Sequence, residues 1–165
     1  MDEVKLRVLK EIQDKTYLDM LNQLASFGLC NVERPTGFGK TKLFMRYAEE
    51  HPQQRLLYIY DTTSSMIDIR EKYDPQNVGF MSYRRISFAD CDELIQQVMA
   101  SRYDVIIFDE SHLMGGLHIR EFCAKIIPLL VNDGVFVLGG TATCVRSDMV
   151  NVTTTFFAGH TVFEY

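Results

Sequence analysis

The sequence predicts an α/β domain with a mostly parallel β-sheet that is covered by helices on both faces. Short, continuously apolar segments alternate along the chain with segments whose apolar residues recur every three or four positions. Strands that are apolar throughout are buried on both faces, which is typical of a parallel sheet between two helical layers. The length of 165 residues is that of a single domain.

The predicted elements follow one another in the order that this fold class requires. Residues 4–27 are predicted to be helical, because apolar side chains recur there at helical spacing. The short apolar segment LCNV comes next and leads to Pro35. Four further strands are predicted at 56–60, 78–83, 104–108 and 135–139, with helices at 40–50, 64–73, 90–101 and 118–131. Ligands bind at the carboxyl ends of the strands in such folds, and the polar motifs of this chain lie there.

Composition places the chain among ordinary globular proteins. Hydrophobic residues make up 47% and charged residues 24%, which excludes intrinsic disorder. No apolar run reaches the roughly 18 residues of a membrane-spanning helix, and the charged first residues, MDEVKLRVLKEIQDK, differ from a secretory signal. The four cysteines are widely spaced, which favours reduced thiols over a zinc site or disulfides. We therefore expect a cytoplasmic protein with no membrane partner.

The charge balance limits what the chain can bind by itself. Its net charge is −5, from 17 basic and 22 acidic side chains. A small domain whose main task is to grip phosphate backbones is usually basic. Any contact with nucleic acid must therefore come from local patches or from a partner domain.

The strongest functional motif is the segment RPTGFGKT, residues 34–41, which lies between a predicted strand and a predicted helix. Gly37 and Gly39 allow the backbone to turn, so that successive N–H groups from Thr36 through Phe38 to Thr41 can converge on phosphate oxygens. The helix adds its positive N-terminal end.

Two side chains of this loop have chemistry of their own. Lys40 can approach the β- and γ-phosphates of a nucleotide, and the Thr41 hydroxyl can bind Mg²⁺. The strict Walker A pattern has a glycine where this chain has Arg34. The alternative is an ordinary strand-to-helix turn with an incidental Lys-Thr pair.

A second motif, DVIIFDESH, covers residues 104–112 and places two adjacent carboxylates after a buried strand. Such charges are costly in a protein interior unless they meet a cation or a polar partner. Asp109 is predicted to hold Mg²⁺ and Glu110 to polarise the attacking water. The alternative is a strand that simply leaves the core at two acidic residues.

A third motif, GGTAT, follows the strand predicted at 135–139. Its small residues and the hydroxyls of Thr141 and Thr143 suit close packing beside a nucleotide. Taken alone, a glycine-rich turn with a helix-capping threonine explains it as well.

RPTGFGKT, DESH and TAT, in this order and spacing, resemble motifs I, II and III of superfamily 2 helicases and translocases, and DESH resembles the DExH/DEAH-like group. The resemblance covers residues from about 15 to the C-terminus, and FAGHTVFEY resembles the strand that closes the first motor domain. It implies a three-layer, RecA-like P-loop domain that hydrolyses ATP with Mg²⁺, using Lys40, Thr41, Asp109 and Glu110. It further implies that His112, Thr141 and Thr143 couple the nucleotide to a second RecA-like domain and to DNA or RNA.

The sequence departs from the family pattern at several places. The upstream glutamine that reads adenine has no clear counterpart before residue 30; Tyr17 lies nearby, as a base-stacking or a core residue. The segment after the second predicted strand lacks the proline-threonine-arginine pattern, so Thr62 can contact a phosphate or cap a helix. Arg84 and Arg85, beside two aromatic residues, can touch nucleic acid or form a solvated pair.

Nothing after Tyr165 supplies the second motor domain with its arginine fingers, so we expect the chain to be one domain of a larger motor, weak in hydrolysis and in nucleic-acid binding by itself. Two other functions remain open: another P-loop ATPase, such as a phage terminase or a restriction translocation subunit, or a nucleotide-dependent interaction module without motor activity.

Overall fold

A parallel β-sheet forms the centre of the molecule. The computed structural model describes residues 2–35, 37–142 and 147–163. The strands in this part of the chain are β1 (Leu29–Glu33), β2 (Leu56–Tyr60), β3 (Val78–Ser82), β4 (Val105–Asp109), β5 (Phe136–Thr141) and β6 (Thr161–Phe163). They lie in the order β3-β2-β4-β5-β1-β6, and each neighbouring pair is parallel. The predicted α/β class with a parallel sheet is confirmed.

Helices cover the sheet on both faces. They are α1 (Glu3–Phe27), α2 (Lys40–Glu50), α3 (Thr63–Tyr73), α4 (Tyr83–Phe88), α5 (Cys91–Ala100), α6 (Leu117–Asn132) and α7 (Ser147–Phe157), with a short 3₁₀ helix at Ser111–Gly115. Helices α1, α2 and α3 pack on one face, and α4 to α7 pack on the other. Within the described residues, no helix is both long and apolar enough to cross a membrane.

The core consists of two apolar layers, one on each side of the sheet. Side chains alternate between them along each strand: in β4, Val105 and Ile107 face the layer of α1 to α3, whereas Ile106 and Phe108 face α6 and its neighbours. This explains why the strands are apolar at every position in the sequence.

The structure differs from the predicted elements in two regions. The strand predicted at 78–83 ends at Ser82, because the Ser82 hydroxyl accepts a hydrogen bond from the Arg85 amide at 3.1 Å and caps α4. Helix α7 was not predicted, since its sequence is rich in valine and threonine, which favour strands. Burial of Val152, Phe156 and Phe157 against the core stabilises it as a helix.

Candidate nucleotide-binding site

The three sequence motifs meet at one edge of the sheet. Strand β5 lies between β1, which precedes the glycine-rich loop, and β4, which carries the acid pair. Gly140 of β5 is in register with Val32 on one side and with Asp109 on the other. The cavity at this edge has a volume of about 680 Å³, and Lys40, Thr41, Asp109 and Glu110 line it.

Gly140 allows the first and second motifs to come close together. A Cβ atom at this position would lie 2.7 Å from the Phe44 ring and 3.8 Å from Cδ of Lys40. The missing side chain thus leaves space for α2 to approach the sheet, which brings its first residue, Lys40, over β5. The glycines of the third motif therefore have a packing role that its sequence alone did not distinguish from a turn.

The described residues of the loop between β1 and α2 include two glycines in the left-handed region. Gly37 and Gly39 have φ angles of 85° and 102°, a region that favours glycine. Helix α2 begins at Lys40, so its first N–H groups face the cavity. The predicted ligand Thr36 lies outside the described residues, and Phe38 is buried in the core beneath the loop.

The Lys40 side chain contacts the main chain at the start of its own loop. Its Nζ atom donates to the main-chain carbonyl oxygen of Arg34 at 2.8 Å and lies 3.4 Å from that of Pro35. Burial lowers the pKa of the Lys40 ammonium, and the nearby carboxylates of Glu110 and Asp109 oppose this shift. The cation is thus held inside the loop, facing the acid pair.

Arg34 stands where the strict pattern has glycine, and it anchors the loop to α1. Its side chain is buried, and Nη2 donates to the Thr16 hydroxyl at 2.7 Å. The guanidinium also lies over the Phe38 ring, 5.0 Å from its centroid. The main-chain amide of Arg34 donates to the carbonyl oxygen of Thr141 at 3.0 Å, which ties the loop to the third motif.

A further residue of α1 supports the same loop. The side-chain amide of Gln13 donates to the carbonyl oxygen of Phe38 at 2.6 Å. A Cβ atom on Gly39 would lie 2.9 Å from Nε2 of Gln13, so the loop backbone and this side chain are in close contact. The sequence analysis did not single out Gln13. It could have been found as a polar side chain between Ile12 and Tyr17, on the face of α1 that packs on the core.

The two carboxylates of the acid pair have different environments. Asp109 ends β4 and is mostly buried, and this burial raises its pKa. One of its oxygens accepts a hydrogen bond from the Glu110 amide at 2.9 Å. Glu110 has a φ angle of 47°, where the chain turns from the strand into the 3₁₀ helix, and its side chain is 44% exposed. Glu110 therefore faces solvent in the cavity, whereas Asp109 is fixed beneath it.

Two tyrosines approach Asp109 from opposite faces of the sheet. The Tyr83 hydroxyl donates to the main-chain carbonyl oxygen of Asp109 at 2.5 Å. The Tyr58 hydroxyl lies close to the Asp109 carboxylate and the Thr41 hydroxyl, and its presence lowers the pKa of Asp109 against the effect of burial. Among the described residues, however, the Tyr58 hydroxyl has no well-aligned hydrogen bond, although it is fully buried.

His112 connects the second motif with the third. Its Nδ1 atom lies 3.2 Å from the Thr141 hydroxyl and 3.6 Å from a carboxylate oxygen of Glu110. The two predicted coupling positions, His112 and Thr141, are therefore in direct contact. Thr143, the other predicted position, lies outside the described residues.

The serine of DESH has a structural role that sequence analysis missed. The Ser111 hydroxyl donates to Oδ1 of Asn31 in β1 at 2.8 Å, and Nδ2 of Asn31 donates to the Thr153 hydroxyl at 3.1 Å. Thr153 in turn donates to Glu33 at 2.7 Å. This buried chain of hydrogen bonds joins the second motif, β1 and α7.

Solved structures of helicase domains share this arrangement of strands and helices. The Pyrococcus furiosus Hef helicase domain aligns with a TM-score of 0.60 and 16% identity, over 95% of this chain and 38% of that one. For the Escherichia coli DEAH/RHA helicase HrpB the TM-score is 0.69 and the identity 12%, over 90% and 22%. The Sulfolobus solfataricus SWI2/SNF2 ATPase core in complex with dsDNA gives 0.59 and 13%, over 90% and 35%.

The fold is that of a helicase-type RecA-like domain. The chain spans well under half the length of each of these solved chains. No family model matches the sequence, and no curated protein matches it significantly.

The oxygen atoms at the cavity fit a hard divalent cation. The Thr41 hydroxyl and the Asp109 carboxylate both line the cavity, and oxygen ligands are those that Mg²⁺ prefers. Among the described residues, no group of three or more histidine, cysteine or carboxylate side chains could hold a metal ion. A cation here would therefore take its other ligands from phosphate and water, as Mg²⁺ does at nucleotide sites.

Of the other residues considered in the sequence, Tyr17 and Arg84 lie away from the cavity, whereas Thr62 is among the residues that line it. Tyr17 is a core residue, 1% exposed, beneath the guanidinium of Arg46. The Thr62 hydroxyl caps α3 by accepting from the Ser65 amide at 3.3 Å. Arg84 lies over the exposed Phe88 ring, 5.5 Å from its centroid.

Proposed function

We propose that this chain is the ATP-binding first motor domain of a superfamily 2 helicase or translocase of the DExH/DEAH-like type, which couples hydrolysis of MgATP to movement on DNA or RNA. The observation that carries the proposal is the meeting of Lys40, Thr41, Asp109 and Glu110 around one cavity at the carboxyl edge of the sheet. The helicase-type fold and the positive φ angles of Gly37 and Gly39 in the loop both support it.

Each side chain has a role that its environment suits. The loop amides and the N-terminus of α2 bind the phosphates, and the Lys40 ammonium adds a positive charge beside them. Thr41 and Asp109 would hold Mg²⁺, which neutralises charge on the phosphates when it is bound.

Glu110 is the residue in position to act on water. Its carboxylate is partly exposed in the cavity, and the neighbouring Asp109 keeps its main chain in a fixed turn. Glu110 can therefore orient a water molecule and accept its proton. His112 lies 3.6 Å from the Glu110 carboxylate and contacts Thr141 of the third motif. A change in the position or charge of Glu110 would therefore act on Thr141 through His112.

The contact between His112 and Thr141 favours a helicase-type motor over the other P-loop ATPases. The third motif is the place where a second RecA-like domain and a nucleic-acid strand would sense the nucleotide. We propose that both belong to the full-length protein and that this domain alone binds nucleic acid weakly, because its net charge is −5.

The deciding experiment is calorimetric titration of MgATP into the wild-type chain and into Lys40→Ala. Loss of this ammonium is expected to weaken binding at least tenfold, or about 1.4 kcal/mol, while the fold persists. Lys15→Ala, at an exposed position on α1, is the matched control and should bind as wild type does. Equal affinity of wild type and Lys40→Ala would contradict the assignment of the phosphate loop.

A further inference from the structure

Tyr58 is the polar group of the site that the proposed function leaves unexplained. It lies in β2 between Leu57 and Ile59, in a strand that is otherwise aliphatic up to Tyr60. Its side chain has 0% exposure, and the buried hydroxyl lacks a well-aligned partner among the described residues. An unpaired buried hydroxyl lowers stability, so a residue of this kind calls for an explanation.

Packing does not supply that explanation. The Tyr58 ring contacts the Phe44 ring edge-on, with centroids 6.4 Å apart, and the Phe80 ring at 5.8 Å. A phenylalanine ring would make both contacts and would leave no hydroxyl unpaired. The hydroxyl itself must therefore be considered with the groups that it faces.

Those groups are the two side chains suited to hold the cation. The register of β2 and β4 places the Tyr58 and Asp109 side chains on the same face of the sheet, in the layer of α1 to α3. Thr41 lies one helical turn before Phe44, whose ring contacts the Tyr58 ring, so the Tyr58 hydroxyl lies near both groups. One oxygen of Asp109 is already fixed by the Glu110 amide, and the main-chain carbonyl of Asp109 is fixed by Tyr83. The remaining freedom of Asp109 is the orientation of its carboxylate toward Thr41.

We propose that Tyr58 is a positioning residue for the metal site: when a divalent cation and the nucleotide bind, its hydroxyl, which makes no well-aligned hydrogen bond to the described residues in this structure, hydrogen-bonds to the Asp109 carboxylate or the Thr41 hydroxyl and keeps these two groups oriented toward the cation. This inference rests on the proposed function. Carboxylates that bind metals are commonly oriented by a second hydrogen-bonding group, and loss of such a group typically weakens metal binding 10- to 100-fold.

The test compares wild type with Tyr58→Phe and, as a matched control, Tyr47→Phe. Tyr47 is also buried in the layer of α1 to α3, but its hydroxyl donates to Gln54 at 2.7 Å, away from the cavity. Binding of a fluorescent ATP analogue is measured over a series of Mg²⁺ concentrations and also in EDTA. We expect Tyr58→Phe to raise the Mg²⁺ concentration for half-maximal binding about tenfold and to leave the affinity in EDTA unchanged. Tyr47→Phe should match wild type in both.

Melting temperatures in EDTA give a second, independent readout. Tyr58→Phe should melt at the wild-type temperature or higher, because it removes an unpaired hydroxyl, whereas Tyr47→Phe should melt lower, because it leaves Gln54 without its donor. In an Asp109→Asn background, Tyr58→Phe should have no further effect on Mg²⁺ dependence.

Each other outcome overturns the inference. An unchanged Mg²⁺ dependence would show that the hydroxyl has no positioning role. An equal loss of affinity with and without Mg²⁺, or failure of Tyr58→Phe to fold, would assign Tyr58 to the core alone. If the wild-type chain shows no Mg²⁺-dependent nucleotide binding at all, the proposed function itself fails and the inference fails with it.

Discussion

The hydroxyl of Tyr83 donates a hydrogen bond to the main-chain carbonyl oxygen of Asp109 across 2.5 Å, from the face of the sheet opposite to Tyr58. The main chain of Asp109 is thus fixed by Tyr83, and its carboxylate accepts a hydrogen bond from the Glu110 amide. A carboxylate fixed in this way keeps its place at the cavity, but it remains mostly buried, and burial disfavours its charged form. A charged carboxylate at this position therefore lowers the stability of the fold, which suggests that it is kept for the function of the site.

Asp109→Asn should raise the melting temperature of the nucleotide-free protein. Because burial raises the pKa of Asp109 in the native state above its usual 3.8, the native state binds more protons there than the unfolded state does. The stability from this group is present at acidic pH and is lost as the pH rises through the native pKa. The melting-temperature gap between Asp109→Asn and wild type should therefore widen from acidic to neutral pH. The exposed Asp68→Asn is the control, and a gap that narrows over this interval would contradict the prediction.

His112 and Thr141 should be energetically coupled. Their side chains are in contact at 3.2 Å, and a hydrogen bond of this kind contributes about 0.5–1.5 kcal/mol. Urea unfolding of His112→Ala, Thr141→Ala and the double variant should give a coupling free energy in that range. Additive effects of the two substitutions would show that the contact carries no energy.

Arg34→Gly should destabilise the protein, although it restores the strict glycine-first pattern of the loop. The substitution removes a buried guanidinium, its hydrogen bond to Thr16 and its contact with Phe38, for a loss of about 2 kcal/mol in the free energy of unfolding. Arg84→Ala, an exposed arginine that also lies over an aromatic ring, should stay within about 0.5 kcal/mol of wild type. A more stable Arg34→Gly variant would refute the anchoring role.

Hydrolysis by the isolated chain should be slow, at well under about 1 s⁻¹. Among the described residues, no arginine lines the cavity, and a cation at the transferred phosphoryl group is worth about 10³- to 10⁵-fold in rate. Arg34 contacts α1, and Arg146 lies outside the described residues. Phosphate release should fall further in Glu110→Gln, whereas Glu71→Gln on α3 should leave the rate unchanged. Turnover at about 1 s⁻¹ or faster would show that the chain is catalytically self-sufficient.

Nucleic-acid binding by the chain alone should be weak and only moderately sensitive to salt. With a net charge of −5, we expect about three phosphate contacts or fewer, and hence a log–log salt slope no steeper than about −3 on duplex DNA. Fluorescence anisotropy with labelled single- and double-stranded DNA and RNA measures this. A submicromolar complex that resists salt would contradict it.

The regular elements were predictable because their patterns are local. The apolar run at 56–60 and the helical spacing over 4–27 depend on neighbouring residues only, and β2 and α1 agree with them within one residue. Helix α7 was not predictable in this way, because its β-branched residues favour a strand and tertiary packing alone makes it helical.

In the candidate site, too, the local patterns were predictable and the tertiary contacts were not. Glycine and lysine spacing predicted the loop, and the paired acids predicted the carboxyl end of β4. The contacts of Gln13 with Phe38 and of Arg34 with Thr16 were not predictable, because they join residues 25 and 18 positions apart. Tyr58 and Tyr60 of β2 lie on the same face of the sheet, and only the packing of the helices over that face decides that Tyr58 is the one fully buried.

The hydrogen bond from Lys40 to the carbonyl oxygen of Arg34 has a kinetic consequence. The Lys40 ammonium thereby links the first residue of α2 to the main chain just after β1. If the site binds a nucleotide as proposed, an incoming phosphate would have to replace a carbonyl oxygen as the partner of this cation, and the affinity would be lower by about the energy of one hydrogen bond. In return, the cation would already be in place when the phosphate arrives, and association would proceed at the rate of a preformed site.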